Sequence, residues 1–96
     1  MNAHDHRSSL REHVAAIEAR IPLRILGRLP RGAAAHVFEN DAIDLLAEAK
    51  PGLSYLSVGQ AEADLAERLG RPVGIVLVSE LSGRDAAEVP AQLERL

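Results

Sequence analysis

The chain of 96 residues has no cysteine and no tryptophan. Without cysteine, a disulfide scaffold, thiol catalysis and thiolate zinc sites are all excluded. Only two aromatic side chains are present, Phe38 and Tyr55. That is too few for the stacking platforms on which single-stranded nucleic acids are held. No run approaches the about 18–20 consecutive apolar residues of a membrane span. The start of the chain, residues 1–9, lacks the apolar stretch of a secretory signal. Neither nucleic acid nor membrane is therefore expected as a partner, and the expected address is the cytoplasm of a bacterial cell.

Positive charge is also in deficit, with 11 Lys and Arg against 14 Asp and Glu, a net charge of −3. The imbalance is uneven along the chain. Residues 1–38 carry six Arg against three acids, and residues 39–96 carry five basic groups against eleven acids. Within the first part, Arg20, Arg24, Arg28 and Arg31 occur with no acid between them. Such a cluster reads either as solvated guanidinium heads or as an anion or phosphate site facing an acidic partner. What remains is an ordinary globular composition, 47% hydrophobic and 26% charged, enough for one core and not two. Residues 1–8 read as a flexible polar start and residues 9–96 as a single domain.

Leu10, Val14, Ile17 and Ile21 recur at helical intervals behind Ser9 and Glu12, which have capping-box spacing. This predicts a helix from Leu10 to Arg20, ended by Pro22. Leu23 to Leu26 alternates like a short strand, closed by Gly27. Pro30 suits the first turn of a short helix or a loop. Ala42 to Ala47 is the second predicted strand, with Ile43 and Leu45 on one face and Ala42, Asp44 and Leu46 on the other. Pro51-Gly52 marks a turn. Ser54 to Leu69 has the clearest helical pattern, lined by Val58, Ala61, Leu65 and Leu69, and Gly70 with Pro72 stops it. Val73 to Val78 is apolar throughout, as in a strand buried on both faces. Leu81 to Leu96 predicts one or two short helices broken by Gly83 and Pro90. The alternation of helices and strands gives an α/β (α+β) class, a small mixed sheet of about three strands with helices packed on it.

The candidate metal ligands His4, Asp5 and His6 lie in the polar start, His13 reads as a surface group, and His36 precedes the second strand. The most informative stretch is Gly27 at a strand end, Arg31-Gly32, then Asp41-Ala42-Ile43-Asp44-Leu45-Leu46. Downstream stands Leu69-Gly70-Arg71-Pro72-Val73-Gly74-Ile75-Val76. In outline these residues resemble the minimal nucleotidyltransferases of the polymerase-beta-type superfamily, over most of the chain. That family shows Gly-Ser and Ala-Arg-Gly, then Ser-Asp-Ile-Asp-Leu on the next strand, then Val-Asp-Leu-Val on a further one. The resemblance implies a nucleotidyltransferase-like fold. In the family, two Asp residues two apart on one strand, with a third acid from a neighbouring strand, hold Mg²⁺ and a nucleoside triphosphate.

This chain departs from the pattern where the chemistry lies. Asp44 matches the second Asp, but Ala42 replaces the first and Gly74 the third. Gly27 is kept, whereas Arg28 replaces the serine, and the segment between Gly32 and Asp41 is longer. Asp41 is three residues from Asp44 and reaches its face only through a β-bulge. A lone carboxylate is a poor anchor for Mg²⁺. The expectation is thus a degenerate, catalytically inactive domain that needs no cofactor and serves as a binding or regulatory subunit. By resemblance its partner is a small helical protein of the HEPN type, as in some toxin–antitoxin pairs. The alternative is an active enzyme that transfers a nucleoside monophosphate from an NTP. Asp44 and a shifted Asp41 would then hold Mg²⁺, and Gly27, Arg28 and Arg31 would position phosphate. A third reading is a self-associating domain that forms a homodimer through apolar residues such as Leu81, Val89 and Leu93.

Overall fold

The apolar stripe Leu10, Val14 and Ile17 is the buried face of a helix, α1 (Ala3–Glu18), in a computed structural model that describes residues 3–30 and 42–96. The helix begins well before Leu10, and periodicity does not mark its first turns because their sequence carries no apolar stripe. Ser9 therefore lies inside the helix and is not its cap, and Ile21 packs on the core from the turn that follows. Strand β1 (Leu23–Leu29) runs through Gly27 and does not stop there. A shift in pairing register between Ile25 and Gly27 inserts one residue, so Leu26 joins Leu29 on one side while Leu23 and Ile25 face the other.

Strand β2 (Ile43–Ala49) runs two residues further than its apolar pattern predicts. Ile43, Leu45 and Ala47 face the main core, and Asp44 with Leu46 faces away from it. Helix α2 (Tyr55–Leu69) follows its sequence signals closely. The Ser54 hydroxyl accepts from the Ser57 amide at 3.1 Å, and Gly70 adopts φ 68° while its N–H bonds to the Ala66 carbonyl. That left-handed C-cap is the position where glycine is favoured. Strand β3 (Val73–Leu77) ends one residue early, because Val78–Glu80 forms a 3₁₀ turn. The tail holds one short helix, α3 (Arg84–Ala91), with Pro90 in its last turn.

The sheet order is β1-β2-β3, antiparallel between β1 and β2 and parallel between β2 and β3, with α2 as the crossover. Helices α1 and α2 cover one face, over Leu23, Ile25, Ile43, Leu45, Ala47, Val73, Ile75 and Leu77. The other face carries Leu29 and Leu46, and Val89 of α3 seals it at 2% exposure with Leu81 and Leu93 beside it. Val89 is thus a core residue and not an exposed one, while Leu81 and Leu93 are half-buried beside it. The architecture is α+β. Among the described residues, no helix is long and apolar enough to cross a membrane.

Both sheet edges are closed by the chain itself. On β1, the Ile25 amide donates to the Glu18 carboxylate at 2.8 Å. Further along, Arg28 and Glu94 exchange two backbone hydrogen bonds of 2.8 Å each. On β3, the Ile75 amide donates to Glu62 at 2.8 Å and the Leu77 amide to Glu80 at 3.0 Å. Occupying edge amides in this way blocks the strand pairing that exposed edges invite.

Candidate functional site

Asp44 is set by its strand. In the ladders its Cα partners are Leu29 on β1 and Gly74 on β3. Residues paired across a ladder share a face, so Asp44 stands between a buried leucine and a residue without a side chain. One carboxylate oxygen, Oδ1, is buried and has no hydrogen-bond partner among the described residues. A carboxylate oxygen withdrawn from water without a donor is unfavourable by about 1–3 kcal/mol. It calls for a cation, a proton or a donor from elsewhere.

The residues needed to turn that oxygen into a metal site are not beside it. Ala42, two residues before Asp44, offers a methyl group, and Gly74 offers none. Among the described residues, no three His, Cys, Asp or Glu side chains gather closely enough to hold a metal ion. Asp44 alone does not fit the two-ion chemistry of nucleotidyl transfer, which needs carboxylates that bridge both ions. Asp41 and Arg31 lie outside the described residues, as do Glu39 and His36.

Gly27 and Arg28 lie within β1, towards its C-terminal end. Gly27 pairs with Leu46 and Arg28 with Leu45. Because Leu45 faces the helices, Arg28 projects to the opposite side of the sheet from Asp44. The C-terminal segment covers this stretch. A Cβ placed on Gly27 would lie 2.5 Å from the Glu94 carbonyl oxygen and 2.8 Å from Leu93 Cγ. The φ angle of Gly27 is not in the left-handed region, so glycine is required here by close approach and not by backbone conformation. The Arg28 amide donates to the Glu94 carbonyl oxygen at 2.8 Å.

The other arginines of the cluster disperse. Arg20 forms an ion pair with Asp64, which also accepts from Arg68 Nε at 2.9 Å. The Arg68 hydrogen bond, with Coulombic help from Arg68 and Arg20, holds the Asp64 carboxyl below the usual carboxylate range. Arg24 pairs with Glu48 at 3.6 Å on an exposed surface. Neither pair converges on Asp44. Two shallow depressions lie away from it as well. One, of about 540 Å³, is lined by Arg20, Ile21, Gln60, Ala63, Asp64 and Glu67. The other, of about 490 Å³, is lined by Arg24, Glu48, Ala49, Lys50, Val78 and Ser79.

Sequence reasoning did not anticipate the bridge between Arg28 and Glu94, or the carboxylates that cap the sheet edges. The first joins residues far apart in the chain, and among the second only the contact of Glu80 with the Leu77 amide is local. The tail's approach gives Gly27 a structural reason to be glycine.

No protein-family model matches the chain, and no curated protein matches it. A solved structure described as that of a "putative minimal nucleotidyltransferase" is similar over 100% of this chain and 97% of that one. The TM-score is 0.75 and the identity 19%. A likeness at that identity carries the fold and not the chemistry. The three strands, the α2 crossover and the flanking helices thus make the nucleotidyltransferase-like α+β fold that the motif outline implies.

Proposed function

We propose that the chain is a nucleotidyltransferase-fold domain without catalytic activity that works as a binding or regulatory subunit. Its partner class under this reading is a small helical protein of the HEPN type, in an antitoxin-like role. The observation that carries the reading is the pairing of Asp44 with Gly74 across β2 and β3. The neighbouring-strand position from which a further carboxylate would serve a metal has no side chain. The tail over Gly27 and Arg28 supports it further, since it takes up backbone that would otherwise be open to phosphate.

One observation favours a second reading. The unpartnered Oδ1 of Asp44 would suit a cation, and Asp41 as a second ligand would restore an NTP- and Mg²⁺-dependent enzyme. Calorimetric titration of ATP and of GTP, with and without Mg²⁺, separates the two. The subunit reading expects no metal-dependent heat. Metal-dependent micromolar binding that Asp44→Ala abolishes would overturn it in favour of the enzyme. Binding that ignores the metal would instead assign an anion to Arg28 and Arg31 and remove the metal site from consideration.

A further inference from the structure

Large hydrophobic side chains are exposed at a single place among the described residues, Tyr55 at 79% and Leu56 at 73%, in the first turn of α2. The sequence around them is unusual for a surface. No charged residue occurs from Pro51 to Ala61. Depletion of charge around an exposed tyrosine and leucine is the composition of an interface centre and not of a solvated helix. One turn further along stands Gly59, exposed, with nothing within 4 Å of where its Cβ would be. Glycine inside a helix is less favourable than alanine by about 0.8–1.0 kcal/mol, and nothing in this chain requires it there. Ala63, also exposed, follows four residues later.

At 100° per residue, Leu56, Gln60, Ala63 and Glu67 form the outward stripe of α2. The stripe is opposite the core residues Val58, Ala61 and Leu65, and Gly59 lies on its flank. Bulk is concentrated at the N-terminal end of this stripe and small residues near its middle. A helix with that profile is complementary to itself when reversed. A two-fold axis beside Gly59 and Gln60 brings Leu56 of each copy opposite Ala63 of the other, with Tyr55 beside the space left by Gly59.

Charge fits the same arrangement. The first turn of α2 has no acidic residue, so its N-terminal partial positive charge is uncompensated. The reversed partner sets Glu67 against that turn and near Lys50, while the two Glu67 carboxylates stay roughly 22 Å apart at 1.5 Å rise per residue. Association through the sheet is already blocked, because Glu18, Glu62, Glu80 and Glu94 occupy the edge amides.

We propose that the outward face of α2, centred on Gly59 and Gln60, is a docking surface for a second copy of this chain, forming an antiparallel α2–α2 dimer. The proposal does not rest on the subunit reading above. A 15-residue helix is about 22 Å long and packs at about 8–10 Å. Its footprint falls below the about 800 Å² per partner of stable complexes, so the dimer belongs with weak, transient associations.

Sedimentation equilibrium from about 10 μM to about 1 mM, the range of weak association, tests it. The expected result is a mass rising from one chain towards two, with Leu56→Glu staying at one chain across the range. At the dilute end, Leu56→Glu should melt as the wild type does, since the side chain is exposed. The chain has no cysteine of its own, so single-cysteine variants report the geometry cleanly. Gln60→Cys lies at the axis, where the two Cα atoms come within about 4.4–6.8 Å, the reach of a disulfide. It should cross-link at least about tenfold faster than Ser82→Cys, which is exposed on the opposite side of the fold. A wild-type mass of one chain at every concentration overturns the proposal and leaves the face to a different protein. Undiminished association of Leu56→Glu, or equal cross-linking of the two cysteine variants, overturns the α2 geometry.

Discussion

Gly27→Ala should weaken the protein by removing its tail from β1. The added methyl would meet the Glu94 carbonyl oxygen at 2.5 Å and Leu93 Cγ and Cδ1 at 2.8 and 3.1 Å. The leucine tip can swing aside, but the carbonyl is backbone and is held by the reciprocal bonds between Arg28 and Glu94. Relieving the clash therefore means breaking both bonds, at about 0.5–1.5 kcal/mol each. It also partly re-exposes Leu93, which packs beside Val89. Against this, alanine restricts the unfolded chain and returns about 0.4–1 kcal/mol where the native backbone tolerates it. The net expectation is a loss of about 1–3 kcal/mol. That is substantial for a domain whose total stability is about 5–15 kcal/mol.

Urea unfolding gives the global value, and hydrogen exchange at the Glu94 and Arg28 amides gives the local one. Both amides should lose protection in the variant before the β2–β3 ladder does. A chain ending at Ala91 supplies the decisive comparison. Without the tail, Gly27→Ala should be neutral or slightly stabilising, so the two changes are strongly non-additive. An equal loss in the full and shortened chains would refute the close-approach account and place the strain inside the sheet. No loss in either would show that the tail does not dock as described.

Two further outcomes follow from single carboxylates. Asp44→Asn keeps the shape of the side chain and removes a charge whose Oδ1 has no partner among the described residues. It should raise the unfolding free energy by about 0.5–1 kcal/mol. A loss of similar size in thermal and urea melts would mean that a donor or cation engages Asp44 in solution. Asp64 titrates below the ordinary carboxylate range because Arg68 and Arg20 favour its charged form in the folded state. A carboxyl lowered on folding contributes stability above its unfolded pKa, and that contribution disappears as the pH falls through the folded value. Melting temperature should therefore fall with acidification below about pH 4. Asp64→Asn should flatten that slope, and added salt should shrink the difference, because the pairs are solvent-exposed. An unchanged slope in Asp64→Asn would assign the acid sensitivity to other carboxylates.

Local signals carried much of the architecture into the sequence. Ser54 and Gly70 bracket α2 because capping is decided by side chains within a turn of the helix end. Val73 to Leu77 reads as a buried strand because every position there is apolar or glycine. Two kinds of information were not local. At Gly27 a glycine after four strand residues looked like a terminator, yet its reason lies in Glu94, which no window around Gly27 contains. In the tail, Val89 looked like an exposed apolar residue, because the surface it seals is made by Leu29 and Leu46 on other strands.

The candidate site divides in the same way. The motif outline located Asp44, Ala42 and Gly74 by spacing alone, and the ladder makes Asp44 and Gly74 direct neighbours. Spacing could not tell that Arg28 and Asp44 leave the sheet on opposite sides, because the extra residue between Ile25 and Gly27 changes which β1 side chains face the helices. That bulge bears on function as well as form. It sets Gly27 on the face where the tail can approach and turns Arg28 away from the one carboxylate that remains. Strand register thus places Gly27 on the Asp44 face of the sheet and Arg28 on the opposite one.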